Sequence, residues 1–135
     1  MQIITKNRNV KVTINRASWA DMNLLKQEAL KCIDINNFNF NMKSEVDFIN
    51  SCFELVIKAE TSETFNRALF KCLKNCLYED SISITEQLFE DKPQLIDDYY
   101  EIASNCVEVN LRPFFNSLVT EFKRRLATLT QDDQK

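Results

Sequence analysis

The sequence predicts a mostly helical α+β fold: a small N-terminal β-hairpin or sheet, then about four or five helices, the last one long and kinked near Pro113. Three observations carry this prediction. Before Arg16, Ile3, Ile4, Val10, Val12 and Ile14 alternate with polar neighbours, the period of a half-buried strand. After Ser18, apolar residues recur at three- and four-residue spacing, the period of a helical face. Residues 95–122 then hold one extended face of Tyr99, Ile102, Ala103, Cys106, Val107, Phe114, Leu118 and Phe122, interrupted by Pro113. A proline inside a helix removes one i→i−4 hydrogen bond and crowds the carbonyl four residues back, here that of Val109. One bent helix, or two helices meeting at residues 110–113, is expected there.

The individual elements follow in chain order. The hairpin turns at residues 6–9, and in a chain with no glycine Asn7 or Asn9 is the residue best suited to a positive φ. Ser18 opens the first helix, with Met22, Leu25, Ala29, Cys32 and Ile33 as its apolar stripe and Asp21 placed for a short capping box. Phe38, Phe40 and Met42 alternate with asparagine, which fits either a third strand or an ordered loop anchored by two rings. Ser44 caps a second helix with a stripe of Val46, Ile49, Cys52, Phe53, Val56 and Ile57. Ser62 caps a third, carrying Phe65, Ala68, Leu69, Cys72, Leu73, Cys76 and Leu77. Their short connection predicts that these two helices pack antiparallel. The pattern breaks at Glu79 and Asp80, residues 82–84 form an extended piece, Thr85 caps a turn over 86–89, and Pro93 suits the first position of the final helix. The chain is expected to be one domain over residues 1–128, with a frayed polar tail over 129–135.

Composition narrows the function. There is no histidine, so the usual general base near neutral pH and the commonest metal ligand are missing. There is no glycine, which excludes phosphate-cradling loops and the nucleophile elbow. A non-enzymatic role without cofactor is therefore expected. Cys32, Cys52, Cys72, Cys76 and Cys106 are an odd number on apolar helical positions, where reduced cysteine acts as a small hydrophobe. Cys72 and Cys76 could share a metal at four-residue spacing, but a structural zinc needs four ligands, and core packing is the simpler reading. No apolar run approaches a membrane span and no secretory pattern opens the chain, which points to a cytosolic protein.

Charge is unevenly placed. Lys6, Arg8, Lys11 and Arg16 stand in the first sixteen residues without an acid, whereas residues 79–101 carry eight acids against Lys92 alone. The bland reading is solvated surface. The sharper one is self-association that brings the acidic stretch of one subunit, Asp97 and Asp98 included, against Lys6 and Arg8 of another. The net charge of −3 and the acidic middle argue against a nucleic-acid partner.

From residue 71 onward the sequence resembles a known family. The stretches "KCLKNCLYEDSISITEQLFEDKP" and "DDYYEIASNCVEVNLRPFF", with "NLRPFF" at residues 110–115, resemble the small tail assembly chaperones of long-tailed bacteriophages and prophages. The resemblance covers about a third of the chain. It implies a protein of the bacterial host cytoplasm, absent from the mature virion, that coats the tape measure protein and helps recruit tail tube subunits. None of these motifs carries catalytic chemistry.

Phe114, Phe115 and Phe122 follow the bend, and together with Leu126 they exceed what one amphipathic stripe buries. They are read either as core or as a groove for an amphipathic partner helix. The competing functions are a small phage or host helical adaptor that inhibits a bacterial protein, and an enzyme or metal site built on Asp97, Asp98 and Glu101, which share a helix face.

Overall fold

The computed structural model describes residues 1–32 and 44–114, together with 116, 117, 119–121, 123, 124 and 127. The alternating residues 36–43, Phe115, Phe122 and the tail 129–135 lie outside the described residues. The fold is α+β and mostly helical.

The N-terminal alternation forms β1 (Gln2–Ile4) and β2 (Lys11–Thr13), paired antiparallel with Ile3 opposite Val12. Asn9 takes the left-handed turn position, at φ 55°, and its N–H donates to the Thr5 carbonyl at 2.9 Å. The sheet is four-stranded, in the order β1-β2-β3-β4. β3 (Leu77–Tyr78) pairs with β2, and β4 (Ile82–Ser83) pairs with β3, all antiparallel. The extended piece foreseen after Asp80 is therefore the sheet's last strand.

Between β3 and β4 the glycine-free chain puts two consecutive non-glycine residues in the left-handed region, Glu79 (φ 52°) and Asp80 (φ 63°). Each such residue costs roughly 1–2 kcal/mol. Cross-sheet bonds hold the turn in place. The Asp80 carboxylate takes Lys11 Nζ at 2.8 Å and accepts from Thr13 Oγ1 at 2.9 Å, and the Glu79 N–H donates to the Lys11 carbonyl.

The helices begin where the caps were expected. α1 (Trp19–Cys32) starts after Ser18, whose Oγ accepts the Asp21 N–H at 3.2 Å. α2 (Glu45–Lys58), α3 (Glu63–Leu73) and α4 (Glu86–Asp91) are capped by Ser44, Ser62 and Thr85, whose hydroxyls accept from Asp47, Phe65 and Leu88. Each cap satisfies one orphan N–H and contributes about 1 kcal/mol.

α5 (Tyr99–Leu111) is the hub of the fold, with α2, α3 and α1 all packed against it. It buries Ile102, Ala103, Cys106, Val107, Asn110 and Leu111, more than one stripe, because neighbours cover it on several sides. Here one expectation is corrected: α2 and α3 are not packed as an antiparallel pair. α2 lies chiefly on α5, and α3 chiefly on α1. The short corner, with Ala59 buried, sends the two helices to different partners.

The final helical region opens as a 3-10 turn at Pro93–Asp98 and tightens to 3-10 again at Arg112–Phe114. Pro113 has no N–H to give the Val109 carbonyl, which accounts for the change of geometry at the foreseen bend. Asn110, fully buried, anchors it: its Nδ2 donates to the Cys106 carbonyl at 2.8 Å, and its Oδ1 accepts the Ala17 N–H at 2.8 Å. Cys52, Cys72, Cys76 and Cys106 are buried, unpaired thiols. Burial pushes Cys72 up to about 12, and the contact with Cys76 together with burial holds Cys106 well above the ordinary thiol range.

One buried carboxylate links α1 to α3. Glu28 takes Lys31 Nζ at 3.0 Å and a hydrogen bond from Thr64, and these interactions pull its pKa below the ordinary 4.5. Because the folded pKa is the lower one, the stabilisation is present above 4.5 and is lost as pH falls through the folded value. Glu28→Gln is expected to destabilise the protein by about 1–2 kcal/mol at pH 7. Urea titrations at falling pH should show the gap to wild type closing below 4.5; a gap independent of pH would contradict this role.

Candidate partner-docking surface

α2 carries apolar residues on two faces. Phe48, Cys52, Leu55 and Val56 point into the core. Val46, Ile49, Phe53 and Ile57, spaced three or four apart and so aligned along the helix, are 65%, 38%, 44% and 39% exposed. This corrects the stripe read from the sequence, which merged the two faces and omitted Phe48 and Leu55. An amphipathic helix normally buries its apolar residues on one face. This one also leaves an outward apolar stripe, the kind of surface that marks an interaction site.

The stripe runs on through aromatic contacts. Phe53 meets Tyr100 edge-on at 6.4 Å between ring centroids, and Tyr100 meets Tyr99 at 5.5 Å. The Tyr100 hydroxyl donates to Glu60 Oε2 at 2.7 Å, a bond that raises the phenol's pKa. Ile96, in the 3-10 turn, is 59% exposed beside them. Beyond Tyr99 lies a groove of about 420 Å³, with Phe70 and Phe89 in its wall and Glu60, Glu86 and Glu90 among its lining. Among the described residues that line it, none is basic. Along α2 itself, Glu45, Asp47 and Glu54 stand against Lys58, with Glu45 paired to Arg112 at 2.9 Å. The surface is therefore apolar along its length and acidic at its margins, most strongly at the groove.

The residues singled out from the sequence fall elsewhere. Arg8 pairs with Asp97 at 3.8 Å, the Lys6 backbone N–H donates to Glu101 at 2.8 Å, and the Asn7 amide donates to the Asp97 carbonyl at 2.7 Å. With the Lys11–Asp80 pair, the basic hairpin and the acidic stretch already meet within one chain. The electrostatic motive for self-association is met internally, and the hairpin turn is docked on the start of α5.

Asp98 is 1% exposed, so it is no surface contact. Asp97, Asp98 and Glu101 do not converge, and no group of three metal-ligating side chains occurs among the described residues. Phe114 is half-buried against the core, with Lys26 Nζ 4.9 Å from its ring centroid. Phe115 and Phe122 lie outside the described residues.

Asp98 carries an expected result of its own. Neither of its carboxylate oxygens has a hydrogen-bond partner among the described residues, and its side chain makes no cap bond to α5. A buried polar group without partners is costly. Asp98→Leu, of similar shape and without unsatisfied oxygens, is expected to raise unfolding free energy by about 1–3 kcal/mol. Chemical denaturation checks it, and a loss of stability would show that the carboxyl group makes a stabilising interaction of its own.

Among the described residues, no helix is long and apolar enough to cross a membrane. Comparison with known proteins leaves the site to be read from its own geometry, because no family model, curated protein or solved structure matches the chain.

Proposed function

We propose that the protein is a non-enzymatic assembly chaperone of a long-tailed bacteriophage or prophage, acting in the host cytoplasm. In this reading it holds amphipathic helical segments of the tape measure protein until tail tube subunits assemble around them. The observation that carries the proposal is the outward stripe of Val46, Ile49, Phe53 and Ile57 on a helix whose opposite face is already buried. An apolar stripe at helical spacing is complementary to the apolar face of another helix. The acidic margins favour a partner with basic residues beside that face.

Burying the exposed remainder of each stripe side chain contributes roughly 1 kcal/mol. Association itself costs an estimated 4–15 kcal/mol, so the stripe alone supports only weak binding. A chaperone that must later release its client fits that regime. A long partner with repeated amphipathic segments would bind many copies, each weakly and reversibly.

The test is co-expression with the tape measure protein of the same phage genome, followed by measurement of complex mass. Several copies of this chain per tape measure chain are expected. No complex, or a one-to-one complex with a host enzyme instead, would overturn the chaperone reading in favour of an adaptor or inhibitor.

A further inference from the structure

We infer that the groove beside Tyr99 is a receptor for one arginine side chain of the partner helix. This rests on the docking surface proposed above but uses a different set of residues.

Three aromatic rings, packed against one another, line one wall of the open groove. Phe70 and Tyr99 lie nearly parallel, with 21° between planes and 6.3 Å between centroids, and Phe89 stands edge-on to both at 6.2 and 5.5 Å. An aromatic wall offers π faces to a cation, and the planar, weakly hydrated guanidinium stacks there better than an ammonium.

Carboxylates supply the second half of the site. Glu86 and Glu90 sit four apart, hence on one face of α4, and Glu60 enters from the corner between α2 and α3. Tyr100 occupies Glu60 Oε2 and so orients that carboxylate. Three acids around one hollow, with no base among the described lining residues, attract a cation. Burial first, then the neighbouring Tyr100 and Glu60, push the Tyr99 phenol up to about 12.

The groove, about 420 Å³, has room for a guanidinium and its stem. Its position adds a geometric reason. Tyr99 and Tyr100 link it directly to Phe53, so a helix lying along the α2 stripe would carry a residue at its end over the groove. The anchor would supply part of the affinity that the stripe alone lacks.

The experiment uses the full chain and four small probes: the N-acetyl methylamides of arginine, lysine, citrulline and norleucine. Aromatic proton signals of Phe70, Phe89 and Tyr99 are followed in NMR titrations. The arginine probe is expected to shift them saturably in the millimolar range, with the lysine probe several-fold weaker and the citrulline and norleucine probes at least ten-fold weaker. Raising salt should weaken arginine binding, since the carboxylates are at the surface. Glu86→Gln with Glu90→Gln should reduce it at least ten-fold with an unchanged melting temperature.

Equal shifts from arginine and citrulline, or shifts confined to other surfaces, would overturn the inference. Lysine binding as tightly as arginine would overturn the choice of guanidinium. The double variant Ile49→Lys, Phe53→Lys should keep the arginine response, so failure of the groove and failure of the α2 surface are read separately.

Discussion

Replacing Phe48 by alanine is expected to lower unfolding free energy by about 3–5 kcal/mol, while the same change at Phe53 costs about 0.5–1.5 kcal/mol. Both rings belong to α2, five residues apart. Phe48 has no exposed surface, and the Arg112 guanidinium lies 5.3 Å from its ring centroid while bridging Glu45 and Glu108. Its removal opens a cavity under that cluster and loses the transfer energy of a whole phenyl group. Phe53 is 44% exposed and forfeits mainly its edge contact with Tyr100. A domain of this size is stable by about 5–15 kcal/mol, so the first change consumes a large share and the second little. Urea denaturation of the two single variants measures both. Similar costs would mean that the inward and outward faces of α2 are wrongly assigned.

The second large effect is on binding. Ile49→Lys combined with Phe53→Lys is expected to weaken association with a basic amphipathic helix at least 100-fold. Two apolar contacts are lost, and two cations must be desolvated against a partner of like charge. Together these amount to about 3 kcal/mol or more, which corresponds to a factor above 100. Stability should change by only about 1 kcal/mol, because a lysine on a half-exposed helix position can lay its stem along the surface and keep its head in water. Binding to the co-expressed partner and urea denaturation are measured on the same preparation. Unchanged binding would remove the stripe from the docking surface.

What the sequence revealed was mostly local. The caps Ser18, Ser44, Ser62 and Thr85 were legible because a hydroxyl before a helical pattern acts over three residues. Asn9 and the bend at Pro113 were legible for the same reason: φ preference and a missing N–H are properties of single residues. The four buried thiols could be read because they sat on faces that had only the core to meet.

The docking surface was hidden by a different logic. Helical period shows that α2 has apolar faces, but Val46, Phe48, Ile49, Cys52, Phe53, Leu55, Val56 and Ile57 contain two overlapping stripes, and period alone does not say which meets the core. The signal was the excess itself: more apolar side chains than one stripe can bury. Asp98 shows the same limit from the other side, since adjacent Asp97 is exposed and paired to Arg8 while Asp98 is enclosed. The contacts Arg8–Asp97 and Lys11–Asp80 join residues far apart in sequence, so charge counts found the complementarity without showing that one chain satisfies it.

The central claim is that the outward face of α2 receives a partner helix. Methyl-labelled NMR of the full chain, titrated with a designed lysine- and arginine-bearing amphipathic helical peptide, tests it most directly. The account predicts saturable shifts at the methyl groups of Val46, Ile49, Ile57 and Ile96, which are exposed, and none at Ile14, Ile84 or Ile102, which are enclosed. A peptide that binds while the α2 methyl signals stay in place would contradict it.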